Sequence, residues 1–248
     1  MAEGGKAFVG TSGWTYYDWV GVFYPEDLPS GQRLSYFSRH FATTEINYSF
    51  YHLPRSETFE KWYRETSPGF VFAVKASRFI THIKRLEGAE DAWLIFLRNA
   101  LSLREKLGPF LFQLPPSFRA TDETVARLEG FLNKISAPRL RFAFEFRHSS
   151  WCTQLTYDVL RRYGAAWVIA DSSRYPKAEA VTARFVYVRM HGPGKLFASR
   201  YTHEDLATLA GKIKSWQGEG LDVYVYFNND YYGYAVENAR ELIELLRG

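Results

Sequence analysis

The sequence has 248 residues, of which 46% are hydrophobic, 18% aromatic and 23% charged, with a formal net charge of +4. This composition allows one large α/β domain, and the basic excess is far smaller than that of a polybasic nucleic-acid-binding arm. Because Cys152 is the only cysteine, neither an internal disulfide nor a thiolate metal cluster can form within the chain. Residues 1–6 contain no signal-peptide core and no later segment has the apolar length of a membrane span, so we expect a soluble, cytoplasmic protein without a membrane partner.

Eight short apolar or alternating segments predict β-strands, most of them followed by a helical pattern. In chain order they are Phe8–Ser12, Thr43–Asn47, Phe70–Ala76, Pro109–Leu114, Arg141–Arg147, Ala165–Asp171, Arg184–His191 and Asp222–Asn228. Strands that alternate with helices pair in parallel through right-handed crossovers, and eight of them favour closure of the sheet. An open doubly wound sheet is the alternative, but no phosphate-binding glycine motif follows the first strand. We therefore predict a single α/β domain over residues 1–248, a (β/α)8 TIM barrel.

Helices are predicted between these strands from amphipathic spacing and from residues that begin or end helices. The segment Glu90–Leu107 is expected to end at Gly108, a residue that tolerates positive φ. Thr121 is a predicted N-cap because acidic residues follow it. Ser172–Ala183 is short and contains Pro176, so the sixth crossover is expected to be irregular or shortened. The remaining predicted helices are Ser30–Phe41, Ser56–Thr66, Ser150–Tyr163, Thr202–Trp216 and Gly233–Leu246.

Polar and charged residues share one face of the strands near their carboxyl ends. Glu145 and Arg147 share a face of the fifth predicted strand, and Arg189 and His191 do so on the seventh. Comparable late positions are occupied by Glu45, Asn47, Lys75, Gln113, Asp171 and Asn228. Barrel interiors are usually filled by branched apolar side chains, so this set predicts one shared pocket at the end where barrel enzymes place their active sites. The alternative for any single pair is a structural ion pair.

A long aromatic loop, residues 12–24, follows the first predicted strand and includes Trp14 and Tyr17. Rings this numerous are costly to expose, so we expect the loop either to cover the barrel mouth or to stack on a base or sugar. His191, at a strand end, is placed for general acid–base catalysis, and His82 lies in the loop after the third strand.

Neither a zinc signature nor a nucleophile elbow is present in the sequence. No cofactor is required by the sequence, although a divalent ion could be bound by a carboxylate–histidine set. That set would consist of Glu45, Glu145, Asp171 and His191. The three neighbouring cations Lys75, Arg147 and Arg189 would repel a metal, which argues against such a site.

Seven motifs occur in order along almost the whole chain. They are SGWTYYDWVGVFYP (12–25), EINYSFY (45–51), FVFAVKASRFITH (70–82), LFQLPPSF (111–118), EFRHSSW (145–151), YVRMHG (187–192) and YFNNDYYGYAVENA (226–239). Together they resemble the YecE-like family, a bacterial and archaeal domain of unknown function. The resemblance implies a TIM barrel and implies no activity. Its motif positions correspond here to Trp14, Glu45, Asn47, Lys75, His82, Gln113, Glu145, Arg147, His148, Arg189, His191 and Asn228.

The first functional hypothesis is an enzyme, a hydrolase, lyase or isomerase, that acts on a small anionic substrate such as a phosphorylated metabolite or a nucleic-acid end. Lys75, Arg147 and Arg189 would clamp the anion. Glu145 or Glu45 would act as general base and His191 as general acid. The other predicted substrate-binding residues are Asn47, Gln113, Asn228, Trp14, Tyr17 and His82.

Two hypotheses from other classes remain open. The aromatic loop and the basic excess would also suit a module that binds single-stranded or damaged nucleic acid. A divalent-metal-dependent isomerase or endonuclease is the other alternative. A glycosidase that uses Glu45 and Glu145 as its carboxylate pair is less favoured, because such sites rarely need three cations.

Overall fold

The computed structural model describes residues 4–248 as a closed barrel of eight parallel strands that neighbour one another in chain order. The strands are β1 (Ala7–Ser12), β2 (Thr43–Ile46), β3 (Val71–Lys75), β4 (Leu107–Gln113), β5 (Phe142–Glu145), β6 (Ala166–Asp171), β7 (Phe185–Met190) and β8 (Asp222–Phe227). All eight predicted strands are present, and the barrel closes through the pairing of β1 with β8. The predicted TIM barrel is confirmed.

The helices surround this barrel and are mostly close to their predicted positions. They are α1 (Arg33–Phe37), α2 (Tyr48–Tyr51), α3 (Ser56–Glu65), α4 (Glu90–Ala100), α5 (Asp122–Ile135), α6 (Gln154–Arg162), α7 (His203–Gly218) and α8 (Tyr234–Arg247). The Thr121 side chain accepts a hydrogen bond from the backbone N–H of Thr124, which confirms the predicted N-cap of α5. None of these helices, within residues 4–248, has the length and apolar character needed to cross a membrane.

The crossover from β6 to β7 is shortened, as predicted. Residues 172–184 form no helix, and Thr182 attaches this loop to the sheet. Its hydroxyl donates to the carbonyl oxygen of Ala165 at 2.7 Å and accepts from the N–H of Trp167 at 2.7 Å. These bonds take the place of a packed helix in fixing the loop beside β6.

Two helix predictions are wrong in extent. The helix expected over Glu90–Leu107 ends at Ala100, and a 3₁₀ segment follows it. Gly108 does not end a helix but lies inside β4, where an added Cβ would be 2.7 Å from a methyl group of Val71. A close approach of two strands therefore explains this glycine. The first predicted helix, Ser30–Phe41, is regular α-helix only in its α1 part.

The core has two parts that follow from side-chain alternation along the strands. One face of each strand packs on the helices; Phe110, Phe112 and Phe142 belong to this layer. The other face fills the barrel, where Ala143 shares the interior with Tyr187 and with the residues Ala73, Leu111, Val168, Tyr224 and Tyr226. The same interior face carries polar groups towards the carboxyl ends of the strands, and these groups build the candidate site.

Candidate functional site

A cleft of about 720 Å³ opens at the carboxyl end of the barrel. Seven predicted site residues line it: Tyr17, Asn47, Lys75, His82, Gln113, Arg147 and Asn228. Four further lining residues that were not predicted matter for the site: Tyr16, Phe50, Arg78 and Asp230. Five of the ten residues predicted from strand-end alternation therefore line one cavity: Asn47, Lys75, Gln113, Arg147 and Asn228.

Arg189 lies beneath this cleft, at the centre of a buried ionic network. Its Nη1 is 2.5 Å from Oε2 of Glu145, and its Nη2 is 2.7 Å from Oε1 of Glu45. Nη2 also donates to the Ser12 hydroxyl at 3.1 Å. All three charged side chains are essentially inaccessible to solvent, so Arg189 is engaged by two carboxylates and is not among the residues that line the cleft.

The two glutamates receive additional donors that hold them in place. Glu45 accepts hydrogen bonds from the Ser12 hydroxyl and, at 2.6 Å, from the Tyr187 hydroxyl. Glu145 accepts from Nε of Arg147 at 2.8 Å. Burial alone would raise the pKa of each carboxyl, but Arg189 with Arg147 outweighs burial at Glu145 and holds its pKa well below the ordinary value. Arg189 also keeps the pKa of Glu45 low. Both groups are carboxylates at neutral pH.

His191 is buried beside this network. Its Nε2 is 3.6 Å from Oε1 of Glu145, and its Nδ1 is 3.1 Å from Nδ2 of Asn228. Burial lowers the pKa of His191 despite the nearby glutamate, which favours the neutral imidazole. Like Glu45 and Glu145, His191 does not line the cleft. The three predicted catalytic groups therefore form a layer below it.

Lys75 lies at the base of the cleft and has no ion-pair partner among residues 4–248. It ends β3, is only 8% exposed, and its Nζ lies 4.2 Å from the centre of the Phe50 ring. Burial, followed by the charges of Arg189 and Arg147, lowers the pKa of Lys75 to about 7. A substantial fraction of this amine is therefore neutral at physiological pH.

Asp230 and Tyr16 lie on the wall of the cleft, and neither was predicted from the sequence. Oδ1 of Asp230 is buried without a hydrogen-bond partner among residues 4–248. Burial raises the pKa of Asp230 well above its ordinary value, and the Glu45 carboxylate adds to that rise. The backbone of Asp230 is fixed by Trp19, whose Nε1 donates to its carbonyl oxygen at 3.0 Å. The cleft thus contains a carboxyl group that favours its protonated form.

The aromatic loop 12–24 is largely packed into the protein. Trp19, Phe23 and Tyr24 are buried, whereas Tyr17 is 88% exposed at the cleft. Trp14, predicted to bind substrate, is not a lining residue of the cleft. It packs edge-on against Trp62, with 5.5 Å between the ring centroids. The loop covers one side of the barrel end and presents only part of its rings to the cavity.

The carboxylate–histidine metal set considered from the sequence does not come together. Asp171 is bound elsewhere, with Oδ1 accepting from the Tyr201 hydroxyl at 2.8 Å and Oδ2 lying 3.0 Å from Nζ of Lys177. Glu45 and Glu145 are both occupied by Arg189. Across residues 4–248, no three His, Cys, Asp or Glu side chains are grouped so that they could hold a metal ion.

Some residues of the site lie in the sequence motifs but cannot be identified from strand alternation. Ser12 and Tyr16 fall within the quoted aromatic motif, and Asp230 falls within the motif at residues 226–239. These residues lie at or beyond the strand ends, where loop conformation rather than strand period determines the direction of a side chain.

Comparison with known proteins matches a family model described as "Protein of unknown function DUF72" over residues 8–248. The UPF0759 protein YunF of Bacillus subtilis is 28% identical over 271 residues, covering 96% of this chain and 94% of the relative. The UPF0759 protein YecE of Escherichia coli K12 is 26% identical, covering 70% of this chain and 64% of the relative. A crystal structure of a DUF72 family protein from Thermotoga maritima has 32% identity and a TM-score of 0.88, covering 98% of this chain and 100% of the other. The resemblance inferred from the seven motifs is confirmed.

Proposed function

Because this chain belongs to the DUF72 family, whose members are described as proteins of unknown function, its activity has to be inferred from the site, and we propose that it is an enzyme that holds a small anionic substrate in the cleft. The observation that carries the proposal is the charge of the cavity. Lys75, Arg78 and Arg147 line it, and neither Lys75 nor Arg78 forms an ion pair with a carboxylate within residues 4–248. Two acidic residues, Asp18 and Asp230, also line the cavity, and burial raises the pKa of Asp230 well above its ordinary value. Cationic side chains therefore outnumber acidic ones in the cavity, which favours an anion.

Arg147 is the residue best placed to orient the anionic group. Its Nε is bound to Glu145, and its Nη1 donates to the Tyr175 hydroxyl at 3.1 Å, so the guanidinium plane is fixed. Its Nη2 donates to no residue in the described part of the chain. A guanidinium held in this way can donate charge-assisted hydrogen bonds to a phosphate or carboxylate oxygen without first reorganising.

The acid–base groups of the proposed enzyme are Lys75 and Asp230. Both line the cleft, and burial lowers the pKa of Lys75 and raises the pKa of Asp230, so that each shifts towards the neutral range where a group can exchange a proton. Glu45, Glu145 and His191 support the site in this proposal. Glu45 and Glu145 hold Arg189, Glu145 also holds Arg147, and His191 lies beside Glu145 and Asn228. Lys75 and Asp230 line the cleft, where a substrate can contact them, whereas Glu45, Glu145 and His191 lie below it.

Binding of inorganic phosphate tests the anion site. We expect calorimetric titration at low ionic strength to show one site per chain, and Arg147→Ala to weaken it by roughly 10- to 100-fold, because a hydrogen bond to a charged group contributes about 1.5–3 kcal/mol. Arg39→Ala is the matched control, since Arg39 lines a separate cleft beside the amino end of β1. Equal losses in the two variants, or no phosphate binding by the unaltered protein, would contradict the proposal.

Exposed tyrosines at the cleft rim favour one second candidate, binding of single-stranded nucleic acid. Tyr17, Tyr51 and Tyr231 are all more than half exposed and line the cleft near Arg78. Exposed rings beside a cation suit stacked bases and a phosphate backbone.

Fluorescence anisotropy with a labelled single-stranded oligonucleotide distinguishes this candidate. If bases stack on the rim, Tyr17→Ala should weaken binding by about 1–3 kcal/mol, and affinity should fall steeply with added salt. Leu155→Ala, at another exposed apolar residue outside the cleft, should leave the affinity unchanged. No rise in anisotropy on adding the protein at low salt would eliminate single-stranded nucleic acid as the ligand.

A further inference from the structure

Within residues 4–248 two lysines are buried, Lys75 and Lys106, and they differ in the hydrogen-bond acceptors around their amines. Nζ of Lys106 donates to the carbonyl oxygens of Tyr63 and Thr66 at 2.7 and 2.8 Å and to the Thr66 hydroxyl at 3.0 Å. These three acceptors satisfy an ammonium group whose role is structural. Nζ of Lys75 has no hydrogen-bond or ion-pair partner within residues 4–248 and opens into the cleft.

The lack of a partner at Lys75 follows from how the buried network is arranged. Glu45 and Glu145 are the nearby carboxylates, and both are already engaged by Arg189. On the cleft side, the amine faces the Phe50 ring. Amines are made nucleophilic by desolvation and by neighbouring cations, and Lys75 has both.

We propose that Lys75 forms a covalent imine with the carbonyl carbon of an aldehyde or ketone substrate whose anionic group is held by Arg147. This inference rests on the proposed anion site and adds the substrate class to it. The cleft supplies each group the reaction needs: an amine at its base, a guanidinium to place the anion, and on the wall the Asp230 carboxyl, whose pKa is raised by burial.

The step balances with groups that line the cleft. The neutral amine of Lys75 adds to the carbonyl carbon, and a proton moves from nitrogen to oxygen to give a neutral carbinolamine. Protonation of that hydroxyl by the Asp230 carboxyl releases water and leaves the protonated iminium and the Asp230 carboxylate. No oxidant, reductant or metal enters the step. The iminium then withdraws electrons from the adjacent carbon, which allows deprotonation or bond cleavage there.

The charges around Lys75 come from several strands and set the pH range of its reactivity. Arg189 and Arg147 lower the pKa of the amine, and Glu45 and Glu145 oppose them; Arg78 and His82 also face the cleft. Burial lowers the pKa of His82 to about 4, so His82 is neutral near pH 7. Reaction of Lys75 with trinitrobenzenesulfonate should therefore rise with pH around a midpoint near 7. A midpoint at the ordinary lysine value, about 10.4, would overturn the proposal.

Reductive trapping tests the imine directly. The full chain is incubated with cyanoborohydride and either pyruvate or glyceraldehyde 3-phosphate, and then examined by intact mass and peptide mapping. We expect one adduct per chain, located at Lys75, with at least tenfold preference over the exposed Lys61. Acetaldehyde, which lacks an anionic group, should label Lys75 less than the anionic carbonyl compounds do. Adducts spread over surface lysines, with Lys75 unmodified, would overturn the inference.

Lys75→Arg and Lys75→Met each remove the amine that forms the imine, so both variants should lose the adduct. Phosphate binding is measured on the unaltered protein, where it reports on the anion site independently of trapping. Phosphate binding without trapping in the unaltered protein would overturn the imine and leave the anion site standing. Loss of phosphate binding to the unaltered protein would refute the proposed function itself, whatever lysine is labelled.

Discussion

Arg189→Met is expected to lower the free energy of unfolding by about 3–5 kcal/mol at pH 7, because it leaves two buried carboxylates without their shared cation. Glu45 and Glu145 have no solvent exposure, and the distances from Arg189 to their carboxylate oxygens are 2.7 and 2.5 Å. Urea denaturation followed by circular dichroism measures this loss. Arg161→Met is the matched control: its ion pair with Asp158 is about half exposed, so the change should be under about 1 kcal/mol.

The pH dependence of the same variant should have the opposite sign to that of the unaltered protein. In the unaltered protein the folded-state pKa values of Glu45 and Glu145 are depressed, so their contribution to stability is present above the unfolded pKa, about 4.3, and is lost as the pH falls. Without Arg189, Glu45 has no arginine partner, so burial dominates there and raises the pKa of Glu45, whereas Arg147 still pairs with Glu145. The folded variant then binds more protons than its unfolded state, and its stability should rise as the pH falls from 7 to 5.

A second measurement separates charge from shape in this network. Adding Glu45→Gln and Glu145→Gln to Arg189→Met removes the uncompensated charges, and this triple variant should recover part of the lost stability at pH 7. Two results would contradict this description of the network. One is an Arg189→Met variant as stable as the unaltered protein, and the other is an Arg189→Met variant whose stability falls with pH as that of the unaltered protein does.

The fold and the strand face that carries the polar residues could be predicted because both depend on local periodicity. Alternation along a strand fixes which side chains enter a barrel, so Glu145 and Arg147 were predicted on one face, and the two side chains pair at the carboxyl end of the barrel. Eight strands of this pattern leave few topologies, and the closed barrel is the one observed. The short sixth crossover was visible as well, because Pro176 disfavours a helix there.

The division of the site into a cleft and a buried layer could not be read from the strands. Arg189 lies near the end of β7 and Lys75 at the end of β3, yet one is enclosed by carboxylates and the other opens to the cleft. Depth along the barrel axis depends on strand tilt and stagger, which are properties of the closed sheet. Trp14 was predicted to bind substrate and Asp230 was not predicted, for another reason: both lie in loops, and contacts with distant residues hold them in place.

Gly10→Ala is expected to lower the free energy of unfolding by about 3 kcal/mol or more, a result that no strand pattern predicts. Gly10 lies in β1, and a Cβ added there would be 2.1 Å from the carbonyl oxygen of Thr43 and 3.0 Å from its carbonyl carbon. These are backbone atoms of β2, so the new methyl group can be accommodated only by moving β1 away from β2. The ladder between Thr11 and Thr44 would open with it.

The matched control is Gly211→Ala, in the middle of α7, where nothing lies within 4 Å of an added Cβ. Alanine is favoured over glycine in a helix, so this variant should gain up to about 1 kcal/mol in urea denaturation. If Gly→Ala lowers the free energy of unfolding at position 10 and raises it at position 211, the loss of stability at Gly10 arises from the close approach of two strands. Ser12 and Glu45 are supplied by those two strands and pair with each other in register. Gly10→Ala should therefore also weaken phosphate binding. If both the urea midpoint and phosphate binding are unchanged, the close approach of β1 to β2 does not hold the buried network in place.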